Sequence, residues 1–591
     1  MVSYAERPWV KHYDPGVPAS LTPYPEIPLF QLLRDRAAAA PNNVAVVTSA
    51  HLPGIGRVGS ELTYAQIDQA SDALSAAFID LGLKKGDRVA IVMPNVAAFI
   101  VAYFGILKAG GVVTATNPTY PAEKMRDQIA DCGAEIVITL TLFYKLVKQI
   151  QSQTRVKTVI VSNVKEYLPP LARVLFTLAR EKKDGHFLAN LQSGDVWLQD
   201  LYARFTGKKA NVQVSGSDLA IFQYTGGTTG IPKAAMSTHK ALVANTLQCQ
   251  AVLLGKTGNQ DGSGEIFLGA IPFFHVYGLI TVVGFAIALG ARIVLVPNAR
   301  DITDLIGCID KYKPTIFMGV PALYNAINNY PSVTSGKVSL SSIRVCMSGS
   351  APLPPVVKRE FERLSGGTLL EGYGLSETPT ATHANPVHNE NRAGSIGLPF
   401  PDVEARVVNL EDGETEMPVG EIGELVINCP QLMTGYHGMP DETAQVLRMG
   451  KDGKLWLYTG DIARMDEDGY FYLVDRKKDM ALIGGYNVYP TNVEKVLADH
   501  PAVLDVCVAA IPHPDKVGQE ALKAWIVLRP NCTVTPQALI DHCSPHLARY
   551  EIPTRYTFVE ALPKSTVGKT LRRELVALEM SEQAKNVPVN Q

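Results

Sequence analysis

The chain of 591 residues carries 55 Lys and Arg against 57 Asp and Glu, a formal net charge of -2, and is 46% hydrophobic and 19% charged. That balance excludes a disordered polypeptide and leaves no basic excess for a nucleic-acid footprint, while the length points to more than one domain. Eight cysteines without a CxxC pair or a zinc-type His/Cys spacing argue for buried, reduced thiols in a cytosolic compartment.

The opening segment, MVSYAERPWVKHYDPGVPASL, is polar and proline-rich and lacks the apolar centre of a signal peptide. DRVAIVMP (87–94) reads as a buried strand, AAFIVAYFGILKAG (97–110) as a helix closed by glycines, and VVTATNP (112–118) as another strand. Further short β-branched runs lie at 135–139, 157–162, 292–297, 315–320 and 344–349. Such runs between longer helical patterns predict α/β layers around a mostly parallel sheet. KEYLPPLARVLFTLAREKKDGH (165–186) sets Leu168, Leu171, Val174, Leu175 and Leu178 at helical spacing beside Arg173, Arg180, Lys182 and Lys183. An amphipathic helix of this kind lies either on a membrane surface, here the inner face, or on its own domain. The uncharged run 266–291 is broken by Pro272, His275 and glycines. Its clean apolar part is shorter than the ~20 residues of a membrane span, so a buried core helix is expected.

After about residue 399 the pattern alternates. Residues 404–409, 423–428 and 454–475 read as antiparallel strands, with a turn at DEDG (466–469). RKKD (476–479) is a charged junction, followed by a helix at 492–501, strands at 503–512 and 521–530, and a polar tail from 581. The expected class is α/β. A large N-terminal domain (1–475) combines mostly parallel α/β layers with a β-rich part. A charged boundary at 476–479 then sets off a small C-terminal α+β domain (479–591).

The stretch YTGGTTGIPKAAM (224–236) lies between a predicted strand and a predicted helix. It lacks the spacing of the common phosphate loop. Glycines nevertheless admit close backbone approach, N–H groups and hydroxyls suit phosphate oxygens, and Lys233 adds a charge. Pro232 pushes Ile231 toward extended backbone. Residues alone leave a phosphate loop and an ordinary surface loop both open.

Four further motifs follow in order: GYGLSET (372–378), YTGDIA (458–463), DRKKD (475–479) and PKSTVGK (563–569). Together with YTGGTTGIPK they resemble the acyl-adenylate-forming superfamily, and within it the long-chain fatty-acid–CoA ligases. The N-terminal stretches at 62–95 and 105–121 resemble it too, so the likeness covers nearly the whole chain. The resemblance implies ATP, Mg²⁺ and coenzyme A as co-substrates or cofactors and a fatty acid of medium to long chain as substrate. A carboxylate attacks the α-phosphate, pyrophosphate leaves, and a thiol then displaces AMP. Thr225, Gly226, Gly227, Thr228, Thr229, Gly230 and Lys233 would cradle the phosphates. Glu377 would hold Mg²⁺ with Thr225 nearby. Tyr373, between Gly372 and Gly374, would stack on adenine, with Ser376 in the same motif and Gly349, Ser350 and Ala351 lining the adenine side. Asp461 would accept the ribose hydroxyls, assisted by Arg476. Lys569 would reach the carboxylate and α-phosphate. The resemblance also implies a hinge at 476–478 and a mobile C-terminal domain. Lys478 fits the pivot of its rotation, which would bring Gly484 and Gly485 to the pantetheine channel. His275, in PFFHVYGL (272–279), would gate the acyl site. The 165–186 segment resembles an insertion of the long-chain ligases.

The chain departs from many relatives in having Ala234 for glycine and Ser376 for threonine. The same motifs also fit an aryl-acid ligase of the coumarate type, an acyl-AMP ligase that loads a carrier protein, and a catalytically silent lipid-binding member. Oligomeric state is not legible.

Overall fold

A computed structural model of the chain describes residues 2–52, 56–225, 232–254, 262, 264–513, 519–564 and 570–585. They gather into two compact units. One comprises Trp9–Glu404 and Asn428–Leu455; the other comprises Met1–Pro8, Ala405–Ile427 and Trp456–Gln591.

The larger unit holds two sheets. In the first, Val112–Ala115, Arg88–Val92, Ile136–Leu140 and Thr158–Ser162 pair in parallel, each covered by neighbouring helices such as Ala97–Lys108 and Thr141–Gln151. Burial on both faces explains why these strands read as continuous apolar runs rather than alternating ones. Leu219–Thr225 joins them in parallel, and Lys233–Thr238 and Gly435–Tyr436 extend the sheet in antiparallel fashion. The second sheet is built on parallel Val44–Leu52, Arg292–Leu295, Ile266–Gly269, Ile316–Gly319, Val345–Ser348 and Thr368–Leu375. Its core includes Phe317, Tyr324 and Phe361, each fully buried. Every parallel strand expected from the sequence is present.

The buried core helix expected in the run 266–291 is present after His275. Ile266–Gly269 is a strand, and helical backbone runs only from Val276 to Leu289, through a π-helical stretch at Leu279–Gly284. The side chain of Asn95 stabilises the break. Its Nδ2 donates to the carbonyls of Gly269 (2.9 Å) and Ile271 (2.8 Å), and its Oδ1 accepts from the Phe273 amide (2.8 Å). The whole stretch from Val276 to Leu289 is buried. No helix among the described residues is long and apolar enough to cross a membrane.

In the smaller unit Gly423–Asn428, Leu455–Met465 and Phe471–Arg476 pair antiparallel, and the Gly469 amide closes the intervening turn on the Asp466 carbonyl at 3.0 Å. Farther on, Pro490–Ala498 packs with Val503–Pro512 and Glu520–Leu528 over a core of Val493, Leu497, Val508, Ile526 and Leu539. All eight cysteines are free and seven are buried.

His239 and His383 are fully buried in the larger unit, and burial pushes their imidazoles down to about 4 and about 3. Both stay neutral when folded but accept a proton near the usual ~6.5 once unfolded. The unfolded state therefore binds more protons as pH falls below ~6.5, and stability falls with it. Each histidine is expected to remove up to ~1.4 kcal/mol per pH unit between ~6.5 and 4. Urea midpoints across that range check this, with His383→Gln flattening the slope.

Candidate active site

Gly226, Gly227, Thr228, Thr229, Gly230 and Lys569 lie outside the described residues. The flanks of the glycine loop are described and correct one expectation. Thr225 pairs with Lys233 and Tyr224 with Ala234 in antiparallel register. The loop therefore joins two strands, and the helix His239–Leu254 begins only after the second. The strand Lys233–Thr238 forms because a backbone partner lies on each side: Tyr436 faces Ala235 and Gly435 faces Met236 on the far edge. Ala234 belongs to this strand, not to the loop. Its methyl is fully buried in the same core as Phe222, Val137 and Val161.

GYGLSET covers the end of the strand Thr368–Leu375 and the turn after it. A Cβ on Gly372 would meet Met347 Sδ at 2.6 Å, and one on Gly374 would meet the Thr380 carbonyl oxygen at 1.3 Å. Tyr373 meets His383 edge-on at 5.8 Å. Ser376 is half-buried beside Glu377. The Glu377 carboxylate accepts from the Tyr436 hydroxyl at 2.6 Å, and the Glu377 carbonyl accepts from the Met433 amide at 2.8 Å. Burial and the neighbouring Glu377 raise the pKa of Tyr436, so its hydroxyl remains a donor. Lys233 lies over the Tyr436 ring, 5.4 Å from its centre, and forms an ion pair with Glu442. Lys233 and Glu377 thus share a neighbour, Tyr436, that the motifs do not reveal. A two-residue strand shows no periodicity, so nothing in the sequence pattern singled it out.

Gly349, Ser350 and Ala351 follow the strand Val345–Ser348. A Cβ on Gly349 would lie 3.3 Å from the Tyr277 ring, and Ser350 holds a left-handed φ of 70°. The buried Ser348 hydroxyl has no hydrogen-bond partner among the described residues. An orphaned hydroxyl two residues before the exposed Ser350 fits a polar ligand such as a nucleotide. The Tyr277 hydroxyl donates to the carbonyls of Gly319 (3.1 Å) and Met347 (2.7 Å). Two residues earlier His275 Nδ1 accepts from the Tyr277 amide at 3.2 Å. Burial pushes the His275 imidazole down to about 4, so it is neutral near pH 7.

In the smaller unit the buried Asp461 pairs with Arg476 at 3.1 Å across the hairpin. Lys478 lies between Lys477, bonded to Glu424 at 2.8 Å, and Asp479, bonded to Arg572 at 3.1 Å. Gly484 and Gly485 form the turn between Ala481–Ile483 and Tyr486–Val488 with φ of 59° and 87°. A Cβ there would meet nothing within 4 Å, so the backbone conformation, not crowding, asks for glycine.

No group of three or more His, Cys, Asp or Glu able to hold a metal exists among the described residues. Glu377 and Thr225 offer oxygen donors only, which fits a hard cation that draws its other ligands from phosphate and water.

Residues 33–437 match the family model described as AMP-binding enzyme, and residues 492–569 match its C-terminal domain. The chain belongs to the AMP-binding enzyme family. It is 39% identical over 578 residues to a long-chain-fatty-acid–CoA ligase of Bacillus subtilis, covering 97% of this chain and 98% of that protein. Among solved structures it resembles ATP-bound MatB from Rhodopseudomonas palustris, with 26% identity, a TM-score of 0.78, and coverage of 94% and 100%. It also resembles a fatty acyl CoA synthetase of Mycobacterium tuberculosis, with 25% identity, a TM-score of 0.67, and coverage of 94% and 99%.

For this AMP-binding enzyme the buried methyl of Ala234 makes a specific forecast. Ala234→Gly empties a core position and frees a strand residue. It is expected to cost ~1–2 kcal/mol of stability, read from denaturant midpoints.

Proposed function

We propose that this AMP-binding enzyme is an AMP-forming long-chain fatty-acid–CoA ligase. The 39% identity over 97% of the chain to a long-chain-fatty-acid–CoA ligase carries the reading. A fatty-acid carboxylate oxygen attacks the α-phosphorus of ATP, the bond to the β-phosphate oxygen breaks, and pyrophosphate leaves. The thiolate of CoA then attacks the acyl carbon and AMP departs. The first step makes a poor electrophile reactive by giving it AMP as a leaving group.

The residues divide these tasks. Thr225 to Lys233 hold the β- and γ-phosphates, and the Lys233 ammonium offsets their charge. Glu377 and Thr225 would hold Mg²⁺, which would supply further charge neutralisation when bound. Tyr373 and Gly349–Ala351 receive adenine, while Asp461 and Arg476 receive the ribose. His275, neutral, stands at the acyl carboxylate. Lys569 stabilises the charge that develops at the α-phosphate. The C-terminal domain turns about Lys478 to bring Gly484 and Gly485 to the pantetheine arm for the second step.

Lys569→Ala is expected to lower ATP–pyrophosphate exchange by ~10²–10³, as for loss of one charge-stabilising donor. Thioester formation from preformed acyl-adenylate should be largely retained, and equal damage to both steps would contradict the division of labour. A survey of acids of graded chain length tests the substrate. Turnover of cinnamic acids with none on palmitate would assign an aryl-acid ligase instead, and transfer to a carrier protein but not to free CoA would assign a loading enzyme.

The helix Pro170–Ala179 supports contact with a lipid surface. Its Leu171, Val174 and Leu178, three and four residues apart, are 65%, 54% and 80% exposed. Phe187 is exposed as well, and Lys182 and Lys183 flank the stripe. The opposite side contributes Phe176, with Tyr167 and Leu168 just before the helix, to a cavity of about 110 Å³ that also touches Val96 and Ala97. An apolar stripe beside cations suits an anionic bilayer, from which poorly soluble acids are collected. Replacing Leu171 and Leu178 together by Ser should reduce co-sedimentation with anionic vesicles and leave turnover of a short, soluble acid unchanged.

A further inference from the structure

The side chains of Lys233 and Glu377 converge on one that no motif names. The strand Lys233–Thr238 places Lys233 and Ala235 on one face and Ala234 on the other. Tyr436 stands opposite Ala235 in the antiparallel register. Cross-strand partners share a face, so the Tyr436 ring comes to lie beside Lys233, and the small Ala235 leaves room for it. Ala235, Met433 and Tyr436 form a buried cluster of their own. The ring face then receives the Lys233 ammonium at 5.4 Å, and the hydroxyl donates to Glu377 at 2.6 Å. The position of Tyr436 is fixed in turn, because its amide donates to Thr443 Oγ1 at 2.9 Å. The same helix, Pro440–Val446, carries Glu442, the ion-pair partner of Lys233.

We propose that Tyr436 is a positioning residue for the adenylate-forming step. Its hydroxyl orients the Glu377 carboxylate toward the metal, and its ring seats the Lys233 ammonium. One rigid side chain thereby sets the separation between the cation-binding carboxylate and the phosphate-binding lysine. A tyrosine suits the task because only two χ angles need fixing and because its hydroxyl offers a neutral donor to a carboxylate. Groups that orient a metal-binding carboxylate act on metal affinity, typically by 10–100-fold. The inference rests on the reading of Glu377 as a metal ligand.

The test uses the full chain and two measurements. ATP–pyrophosphate exchange is followed against graded Mg²⁺ at fixed ATP, and Mg-ATP binding is measured by calorimetry without fatty acid. Tyr436→Phe keeps the ring and loses the hydroxyl. It should raise the Mg²⁺ concentration for half-maximal exchange, and weaken Mg-ATP binding, by ~10-fold or more. Its thermal midpoint and its thioester formation from preformed acyl-adenylate should match those of the unaltered chain. Tyr436→Leu also removes the ring, and should further raise the KM for ATP at saturating Mg²⁺. Glu377→Gln is the reference. If Glu377→Gln raises the Mg²⁺ requirement and Tyr436→Phe does not, the positioning role is overturned while the metal reading stands. If Glu377→Gln leaves the requirement unchanged, the metal reading fails and this proposal fails with it.

Discussion

The site depends on one constraint: a strand buried on both edges must find a backbone partner on each. Lys233–Thr238 pairs with Leu219–Thr225 on one edge and with Gly435–Tyr436 on the other. An unpaired buried amide is costly, so the later segment cannot sit elsewhere without orphaning this edge. The same pairing fixes register. A slip by one residue would turn the Ala234 methyl away from the core and drive the Lys233 ammonium into it. The strand order that completes the sheet is thus also what delivers Tyr436 to Lys233 and to Glu377.

Charge imposes a comparable constraint on the smaller unit. Arg572 bonds to Glu494 at 2.7 Å and to Asp479 at 3.1 Å, with Asp475 at 3.8 Å. Burial pushes the pKa of Asp475 and Glu494 up, and Arg572 opposes that shift. Such a cluster stands only when every member is partnered; removal of the arginine would strand buried carboxylates. The Asp475 carboxylate also accepts the Thr491 amide at 2.8 Å. The charged run 475–479 is therefore held to both the following helix and the C-terminal helix, and the hairpin that carries Asp461 and Arg476 ends in a well-anchored segment.

The sequence reveals features that have a period or a strong local chemistry. Buried parallel strands announce themselves as uninterrupted β-branched runs, and all were found where expected. Features made by distant partners are hidden. The glycine stretch itself lies outside the described residues, but the strand after it reads as loop running into a helix because AAMST carries no alternation. Two buried faces and two paired edges remove the alternation that marks an ordinary surface strand. The run 266–291 shows its interruption and its buried helix, but not what fixes the break. Its uniform apolarity records burial, whereas the break between strand and helix is set by Asn95, 171 residues before Ile266. Tyr436 was missed because two paired residues leave no pattern, although they decide the geometry around Glu377.

A tighter coupling follows from Tyr277. Its hydroxyl ties together the carbonyls of Gly319 and Met347, at the ends of adjacent parallel strands. Its ring fills the space that a side chain on Gly349 would need. Its amide donates to His275. A Cβ on Gly278 would meet the Pro272 carbonyl oxygen at 2.4 Å, so this turn cannot loosen without disturbing its own start. The segment 272–279 and the segment beginning at Gly349 are consequently one packed object rather than two independent loops. Close-packed interiors transmit such displacements instead of absorbing them. Any shift at His275 must be felt at Gly349, so the segments proposed to meet the acyl group and the adenine share one mechanical support.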